Sequence, residues 1–321
     1  MAEIHQTEEE IRKHEQELDH FKMSQFNLAG RVAIVTGGNT GLGQGYAVAM
    51  AEAGADIFIP TFGKAEWDNT RRLIEKRGRK VAFMDVNLTA PGSAEAVVAE
   101  AIKQMGHIDI LVNNAGMIRR NPLLESKDKD WDQVIAINLS SVYHLSLAVS
   151  KEYAKQRSGK IINIGSMLSF QGGKFIPSYA ASKHGVAGLT KAFASEMGAY
   201  NVQINAIAPG YIKTENTAPI RADKARNDEI LERIPARHWA EPYELMGIAV
   251  FLASDASNYI NGAIIPVDGG YLVSWSRFEP FFRLSVLTSI MTYRPAWSSF
   301  AKKPSSGKKN SSCKNMIFWI G

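Results

Sequence analysis

Short apolar runs alternate with longer segments of helical periodicity from Arg31 to Val267. The apolar runs are rich in β-branched residues, are bounded by Gly, Asn or Asp, and read in order RVAIVTG, ADIFIP, KVAFMDV, IDILVNNAG, KIINIGS, VQINAIAPG and AIIPVDGG. The segments between them, such as GYAVAMAEAG and AEAVVAEAIKQMG, have the apolar spacing of helices. Because strands that alternate with helices favour a parallel sheet covered on both faces, the pattern predicts a doubly wound α/β fold with seven strands.

The same pattern predicts how the chain is organised. No linker interrupts it, so we expect a single domain over residues 27–273. Residues 1–26 include EEEIRKHEQELDHF and predict a charged N-terminal helical arm with an apolar stripe of Ile11, Leu18 and Phe21. Residues 274–321 are a basic, Ser/Lys-rich C-terminal extension without periodicity, and we expect part of it to be disordered.

Composition narrows the class of protein. The chain has 321 residues of which 45% are apolar, which is enough for a sizeable core. A single cysteine, Cys313, permits no intrachain disulfide, and the N-terminal residues lack the apolar stretch of a signal peptide. The longest candidate for a membrane span, residues 281–291, is too short to cross a membrane. We therefore expect a cytoplasmic protein without a membrane partner.

The positive charge of the chain is concentrated at its C-terminal end. The formal net charge is +5, but residues 274–321 hold eight lysines and arginines against a single glutamate, which leaves −2 on residues 1–273. The basic balance therefore belongs to the extension, and it does not predict that the domain binds nucleic acid.

A glycine-rich turn follows the first predicted strand and opens the first predicted helix of the domain, in the sequence TGGNTGLGQG. Glycines at this spacing let the backbone turn sharply and approach a pyrophosphate, whose charge is met by the amides of the helix N-terminus. This context predicts a dinucleotide-binding turn of the Rossmann type, with Gly37, Asn39, Thr40, Gly41, Leu42 and Gly43 as cofactor-binding residues.

The ends of the second and third predicted strands bear on the choice of dinucleotide. Thr61 occupies the position where an acidic residue often binds the ribose hydroxyls of NAD. No arginine is present for a 2′-phosphate, since Asn39 is neutral and Lys64 lies further along, so we expect NAD rather than NADP. Asp85 is predicted to accept a hydrogen bond from the adenine amine, with Val86 packed beside the base.

A tyrosine and a lysine lie four positions apart in SYAASKHG, and a serine at a predicted strand end precedes them. On a helix, Tyr179 and Lys183 share one face, so the ammonium group can act on the phenol. A tyrosine has a pKa of about 10 and is a poor base at neutral pH unless a nearby positive charge stabilises its phenolate. We predict that Lys183 supplies this charge, and that Ser166 lies at the carboxyl edge where open parallel sheets bind ligands.

With these residues placed, the chain resembles the short-chain dehydrogenase/reductase family from about residue 27 to 273. The motifs that carry the resemblance occur in family order: Thr36-Gly37-x-x-x-Gly41-x-Gly43, Asn113-Asn114-Ala115-Gly116, Asn138, Ser166, Tyr179-x-x-x-Lys183 and Pro209-Gly210. The resemblance implies hydride transfer with a nicotinamide cofactor and a homotetrameric assembly, and it calls for no metal.

The resemblance also implies roles for individual residues. Tyr179 would exchange a proton with the substrate oxygen, Ser166 would hold that oxygen, Lys183 would also bind the nicotinamide ribose, and Asn138 would fix a water molecule behind the lysine. The further cofactor-binding residues it implies are Asn113, Ala115, Gly116, Pro209, Gly210, Ile212 and Thr214, together with Tyr179 and Lys183.

The segments expected to face the substrate resemble the branch of this family that acts on 2-keto-3-deoxy-gluconate in uronate and hexonate breakdown. They include NAGMIRRNPLLE, SMLSFQGGKFIPSYAASK and IRADKARNDEILERIPARHWAEPYELMG. This resemblance implies an NAD(H)-dependent interconversion of that acid with its 2,5-diketo form. A small anionic sugar acid needs basic and polar groups, so the predicted substrate residues are Arg119, Arg120, Gln171 and Lys174, with Ser166 and Tyr179.

The sequence also predicts a substrate lid over residues 216–239, in which Arg237, His238 and Trp239 close over the site. Two close alternatives stay open, a gluconate 5-dehydrogenase and a 3-oxoacyl-carrier-protein reductase. The second requires a positively charged surface for an acidic carrier protein, which the near-neutral domain does not offer. A non-catalytic cofactor-sensing protein is the alternative from another functional class.

Overall fold

A seven-stranded parallel sheet forms the centre of the protein, for which the computed structural model describes residues 7–274. Each of the seven apolar runs of the sequence contributes one strand. The strands are β1 (Val32–Val35), β2 (Asp56–Thr61), β3 (Val81–Asp85), β4 (Ile110–Asn113), β5 (Gly159–Ile164), β6 (Val202–Pro209) and β7 (Ile264–Val267).

The strands lie in the order β3-β2-β1-β4-β5-β6-β7, and every neighbouring pair is parallel. The chain runs outward from β1 to β3 and then crosses back to place β4 on the other side of β1. In such sheets, ligands bind at the carboxyl ends of the strands, beside the point where the strand order reverses. The predicted doubly wound fold with seven strands is confirmed.

Helices cover both faces of this sheet, as parallel strands require. In the described residues the α-helices are α1 (Glu8–Leu18), α2 (Gly41–Glu52), α3 (Trp67–Glu75), α4 (Ser93–Met105), α5 (Asp128–Ile135), α6 (Ser141–Gln156), α7 (Pro177–Met197), α8 (Ala218–Ala222), α9 (Lys224–Arg233) and α10 (Met246–Ala253). The helices α2, α3 and α10 pack on one face, and α4, α6 and α7 pack on the other.

Alternating side chains of each central strand enter two separate hydrophobic clusters. In β1, Ala33 and Val35 belong to the cluster beneath α2 and α10, whereas Ile34 belongs to the cluster beneath α4 and α6. All four residues of this strand are buried. A strand that is buried on both faces must be apolar throughout, which explains why the sequence shows continuous apolar runs rather than alternation.

By length and composition alone, one continuous helical run in the described residues could cross a membrane. The sequence analysis did not identify this run. It comprises α5, a π-helical turn at Ala136–Ser140, and α6, and it spans residues 128–156. Half of its most apolar stretch is buried inside the protein. Since Leu145 and Val149 of α6 enter the core beneath α4, this run is a core helix of the domain.

The predicted N-terminal arm contains α1, and both Leu18, its last residue, and Phe21 beyond it are exposed. The chain then reaches the domain where Phe26 contacts Phe251 of α10, with 6.0 Å between the ring centroids. The C-terminal extension was predicted to be partly disordered, and its residues 275–321 lie outside the described residues. The domain boundaries given by the sequence therefore stay predictions.

Candidate active site

The predicted chemical groups meet at the carboxyl end of β5, where α7 begins. Pro177 occupies the first turn of α7, a position that suits its fixed backbone angle. Tyr179 and Lys183 follow on successive turns, and the Lys183 Nζ atom lies 5.5 Å from the centroid of the Tyr179 ring. The helical spacing predicted from the sequence is thus present at the ligand-binding edge of the sheet.

Ser166 lies just after β5 and is fixed by a reciprocal capping arrangement. Its Oγ atom accepts a hydrogen bond from the Leu168 amide at 3.1 Å, and its own amide donates to Ser169 Oγ at 3.2 Å. Ser169 Oγ in turn donates to the carbonyl of Lys183 at 2.9 Å. Ser169 therefore braces the serine against the helix that carries the lysine. The sequence analysis missed it, although the S-x-x-S spacing of a capping arrangement was visible.

The Tyr179 phenol lies among groups that act on its pKa in opposite directions. Burial raises the pKa of Tyr179, whereas a hydrogen bond with the Ser166 side chain and the positive charge of Arg120 lower it. The sequence analysis expected Lys183, together with the positive nicotinamide, to stabilise the phenolate. In the protein without a cofactor, the groups that lower the pKa of Tyr179 are Ser166 and Arg120, and the role of Lys183 stays a prediction.

Lys183 is held at the end of β5. Its side chain is buried, and Nζ donates a hydrogen bond of 2.6 Å to the carbonyl of Ile164. Burial lowers the pKa of Lys183 to about 8. The ammonium group is thus mostly charged at neutral pH, but it loses its charge at a lower pH than an exposed lysine does.

Asn138 lies in the π-helical turn between α5 and α6. π-Turns inside α-helices frequently occur at functional sites because they redirect one side chain. The Asn138 side chain accepts from the Met117 amide at 2.8 Å, and donates to the Met117 carbonyl at 2.9 Å and to Ser182 Oγ at 3.2 Å. It therefore ties the loop after β4 to the residue that precedes Lys183. Gly116 lies tightly beside it, since a Cβ atom there would be 3.0 Å from Asn138 Oδ1.

The loop from β1 to α2 has the features of an anion-binding turn. Gly37 and Gly41 adopt left-handed backbone angles, with φ of 62° and 54°. The helix cap, Thr40, makes no side-chain hydrogen bond to the first turn of α2, and that turn contains no acidic residue. The backbone amides at the N-terminus of α2, its positive end, can therefore bind an anion such as the pyrophosphate of a dinucleotide. Gly43 is constrained, because a Cβ atom there would collide with the Gly37 carbonyl.

The residues after β4 brace this loop. Thr36 Oγ accepts hydrogen bonds from the amides of Asn114 and Ala115, each at 2.9 Å. The Asn114 side chain donates to the Thr36 carbonyl at 2.9 Å. By contrast, the Asn113 side chain is buried and donates to Ser146 and Asn163. Its side-chain amide therefore makes its hydrogen bonds inside the domain rather than at the ligand edge.

At the end of β2, where the adenosine ribose is expected, the polar groups already have partners. Thr61 Oγ donates to the Gly63 carbonyl at 2.7 Å and accepts from Trp67 Nε1 at 2.9 Å. The Asn39 side chain donates to the Ala65 carbonyl at 2.9 Å. Asp85, at the end of β3, accepts from the Gly63 amide, while Val86 is half-buried beside it.

Besides Ser166 and Tyr179, four substrate residues were predicted, and their surroundings differ. Arg119 donates to Gln133 at 3.1 Å and lies 3.7 Å from a carboxylate oxygen of Asp130, so its charge is already engaged on the protein surface. Arg120 acts on the Tyr179 phenol, and in the described part of the chain it has no ion-pair partner. The two adjacent arginines are therefore not equivalent.

The other two predicted substrate residues, Gln171 and Lys174, lie in the loop between Ser166 and Tyr179. Gln171 is half-buried and Lys174 is exposed. The pKa of Glu229 in α9 is lowered mainly by its hydrogen bond from Arg226, and Lys174 adds to this effect. Lys174 thus faces the lid rather than the phenol.

The end of β6 leads into the lid. Pro209 ends the strand, and Gly210 passes so close to Asp268 that a Cβ atom would lie 2.6 Å from its Cα. Ile212 is buried and forms an isolated bridge with Ala240, which closes the base of the lid. Thr214 follows as the cap of the first short helix of the lid.

The C-terminal half of the lid is anchored by aromatic contacts. Trp239 is 4% exposed, donates to Asn227 at 2.8 Å, and packs edge-on against Tyr211 at 5.0 Å. Tyr271, beyond β7, packs on Tyr211 from another side. Trp239 shares its hydrophobic cluster with Met167, which follows Ser166, and the prediction that it closes over the site stays a prediction.

The chain after β7 adds to this anchor. The Arg233 guanidinium lies 4.2 Å from the Tyr271 ring centroid, and Ser274 Oγ donates to the Arg233 carbonyl at 2.6 Å. Arg237 and His238 are exposed, and His238 bonds Glu244 at 3.1 Å. Helix α8 joins this anchor through Ile220, which packs on the same cluster.

Comparison with known proteins places this arrangement in context. A family model described as enoyl-(acyl carrier protein) reductase matches residues 37–272. An uncharacterized oxidoreductase of Escherichia coli, YgcW, is 49% identical over 80% of this chain and 98% of its own length. A 2-dehydro-3-deoxy-D-gluconate 5-dehydrogenase of the same organism is 50% identical over 78% of this chain and 98% of its own.

Two solved structures have the same architecture. A putative 2-deoxy-D-gluconate 3-dehydrogenase from Agrobacterium tumefaciens with bound NADP is 46% identical, with a TM-score of 0.73 over 78% of this chain and 99% of its own. A putative NAD(P)-dependent gluconate 5-dehydrogenase from Beutenbergia cavernae, with NADP at low occupancy, is 42% identical. Its TM-score is 0.74, over 78% of this chain and all of its own.

Proposed function

This chain belongs to the short-chain dehydrogenase/reductase family and is an oxidoreductase, and we propose that it interconverts 2-dehydro-3-deoxy-D-gluconate and its 2,5-diketo form with NAD(H). The observation that carries the proposal is the meeting of Ser166, Tyr179 and Lys183 at the ligand edge, with Arg120 acting on the phenol. Arg120 has no ion-pair partner among the described residues. Hydride chemistry needs the first three groups, and an acidic substrate needs the fourth.

The residues of the chain handle the proton and the substrate oxygen. In the oxidative direction, Tyr179 takes the proton from the C5 hydroxyl, and in reduction it returns a proton to the C5 carbonyl oxygen. Ser166 donates to or accepts from the same oxygen and keeps it beside the phenol. When bound, the nicotinamide supplies the hydride acceptor or donor. Lys183 binds the nicotinamide ribose and, while charged, stabilises the phenolate.

We assign the substrate carboxylate to Arg120 rather than to Arg119. Arg119 already donates to Gln133 and lies near Asp130, so binding a second carboxylate would mean breaking those contacts. Arg120 has no such partner in the described part of the chain, and its charge already lowers the Tyr179 pKa. An arginine fork suits a carboxylate because it presents two parallel donors.

Replacing Arg120 by Ala should reduce kcat/KM for the keto-deoxy acid by about ten- to over a hundredfold, since a charge-assisted hydrogen bond contributes about 1.5–3 kcal/mol. The loss should be much smaller for an uncharged amide of the same acid. Steady-state kinetics on the acid and on the amide measure both effects.

Arg119→Ala is the matched control, because it removes the neighbouring arginine and should change kcat/KM for the acid only slightly. Equal losses on acid and amide in Arg120→Ala would mean that this arginine acts on the Tyr179 phenol or on the local structure and does not bind the carboxylate. Efficient turnover of an acyl thioester with none of the keto-deoxy acid would overturn the substrate assignment, and catalysis with any substrate would exclude a purely cofactor-sensing protein.

A gluconate 5-dehydrogenase is the second candidate, and it is supported by the 42% identity with the protein from Beutenbergia cavernae. Both reactions occur at C5 of a six-carbon acid and would use Ser166 and Tyr179 in the same way. The two substrates differ at C2 and C3, so a panel of keto- and hydroxy-hexonates separates them. A higher kcat/KM for 5-keto-gluconate than for the keto-deoxy acid would favour the second candidate.

For the cofactor, we expect NADH to bind more tightly than NADPH. The β2 end offers no arginine fork for a 2′-phosphate, and the Lys64 ammonium lies over the Trp67 ring at 5.8 Å from its centroid. Fluorescence titration of both reduced cofactors measures the preference. Tighter binding of NADPH would contradict it, and Lys64→Ala would then test whether this lysine holds the phosphate.

The homotetramer and the cytoplasmic location expected from the sequence are part of the same proposal. The exposed apolar side chains of α6, Tyr143 and Leu147, support an interface on that helix. Native mass spectrometry of the full chain would give the number of subunits.

A further inference from the structure

A lid arginine that the sequence analysis did not single out points into the protein. Helix α8 has five residues, of which only Ile220 and Arg221 are half-buried, whereas the other three are exposed. Ile220 packs on the aromatic cluster at the base of the lid. Arg221 is therefore the one charged side chain of this helix that faces the body of the domain.

The Arg221 guanidinium is poorly satisfied by the protein itself. Its Nη2 atom donates to the Thr214 carbonyl at 3.1 Å, whereas its Nε atom is buried and has no hydrogen-bond partner. No ion pair of the described residues includes Arg221, although Arg226 in the next helix pairs with Glu229. A guanidinium carries five donors and a full charge, so buried donors without partners are unfavourable unless a ligand meets them.

Among the described residues, Arg221 makes one hydrogen bond, and its acceptor has other donors. The Thr214 carbonyl also accepts hydrogen bonds from the Thr217 hydroxyl at 3.0 Å and from the Thr217 amide at 3.2 Å. This short turn is thus closed without the arginine. Arg233 also has a buried Nε without a partner, but its guanidinium stacks on Tyr271, whereas Arg221 has no such aromatic contact in the described residues.

The location of Thr214 indicates which kind of ligand the Arg221 guanidinium can bind. Thr214 follows the carboxyl end of β6, on the edge of the sheet where Ser166 and the loop after β1 also lie. Ligands of doubly wound folds bind along that edge. The reactants of the proposed function carry two kinds of oxyanion, the carboxylate of the sugar acid and the phosphates of the dinucleotide.

We propose that Arg221 binds an oxyanion of the bound reactants and thereby holds α8 closed over the site. The inference rests on the proposed function for the nature of those reactants. An arginine on a lid helix makes closure of that helix depend on the presence of the anion, which gives the enzyme a preference for charged ligands. Its contact is distinct from that of Arg120, which lies on the loop after β4.

The experiment compares Arg221→Gln with the parent enzyme in two measurements. The first is the dissociation constant of NADH, followed by fluorescence. The second is kcat/KM for the sugar acid and for its uncharged amide at saturating cofactor. If the oxyanion is the carboxylate, kcat/KM for the acid falls about ten- to a hundredfold, while the amide and the NADH affinity change little. If the oxyanion is a phosphate, NADH binds more weakly by a similar factor.

Arg237→Gln is the matched control, because Arg237 is an exposed arginine of the same lid that donates only to the Glu232 carbonyl. It should leave both measurements unchanged, which separates the contact of Arg221 from loss of lid charge. Arg221→Lys should recover part of the effect, since it keeps the charge but loses the fork.

Two results would overturn the inference. One is an unchanged NADH affinity with equal losses on acid and amide, which would make Arg221 structural. The other is no loss in either measurement. Failure of the proposed function is recognised separately, because it appears in the parent enzyme as absence of turnover of any sugar acid. In that case, an unchanged NADH affinity in Arg221→Gln also overturns the inference.

Discussion

Replacing Tyr179 by Phe should lower turnover by at least about a hundredfold, and up to about ten-thousandfold, while dinucleotide binding stays near that of the parent. The substitution removes the hydroxyl that exchanges the proton but keeps the ring that lies beside Lys183. Steady-state rates with the keto-deoxy acid measure the loss, and fluorescence titration of NADH measures the retained binding.

Tyr200→Phe is the control for this experiment. Tyr200 lies just beyond α7 and is 42% exposed, so losing its hydroxyl should affect neither rate nor binding. Near-normal turnover in Tyr179→Phe would remove this tyrosine from the mechanism. A parallel loss of rate and NADH affinity would indicate instead that its hydroxyl is required for cofactor binding.

The fold could be predicted from the sequence because burial in a parallel sheet constrains the residues of each strand locally. Strands buried on both faces must be continuous apolar runs, and each run from RVAIVTG to AIIPVDGG became a strand. The position of the catalytic groups followed for the same reason. Residues that come directly after such strands, including Ser166, have to lie at the carboxyl edge of the sheet.

The electrostatic relations within the site could not be predicted in this way. Arg119 and Arg120 are adjacent in sequence, yet one donates to Gln133 and the other acts on the Tyr179 phenol. The difference depends on where residues of α5 lie in space, which spacing along the chain does not reveal. The same holds for Lys183, whose influence on the phenol depends on how deeply it is buried.

The lid illustrates a second limit. Arg237, His238 and Trp239 were predicted to close over the site because residues 216–239 have the placement of a substrate lid. In the structure, Trp239 packs on Tyr211 as part of a cluster that includes Tyr271 from beyond β7. Contacts between such distant parts of the chain leave no local signal, and for the same reason the half-buried Arg221 of α8 was overlooked.

A perturbed pKa does not by itself mark a catalytic lysine in this fold. Burial lowers the pKa of Lys160 to about 8, as it does for Lys183. Lys160, however, lies at the start of β5 on the opposite edge of the sheet, where it donates to Asn258 at 2.7 Å. Position at the ligand edge, beside Tyr179, is what distinguishes Lys183 from this structural lysine.

The second large effect is expected from Lys183→Met, which should lower kcat by at least about a hundredfold and weaken dinucleotide binding by at least about tenfold. The variant loses both the charge that stabilises the phenolate and the donor for the ribose. Because the pKa of Lys183 is lowered to about 8, the parent loses that charge as pH rises through this value. Its dinucleotide affinity should therefore fall between about pH 7 and pH 9, whereas the variant should bind weakly with little change over this range.

Lys191→Met is the matched control, since Lys191 is an exposed lysine two turns further along α7 and its loss should preserve the parental pH profile. Titration of NADH at several pH values on the parent and both variants provides the comparison. If Lys183→Met kept the pH dependence of the parent, the group that titrates near pH 8 would lie elsewhere. The ammonium would then have no part in binding the cofactor, and the phenolate would depend on Ser166 and Arg120 alone.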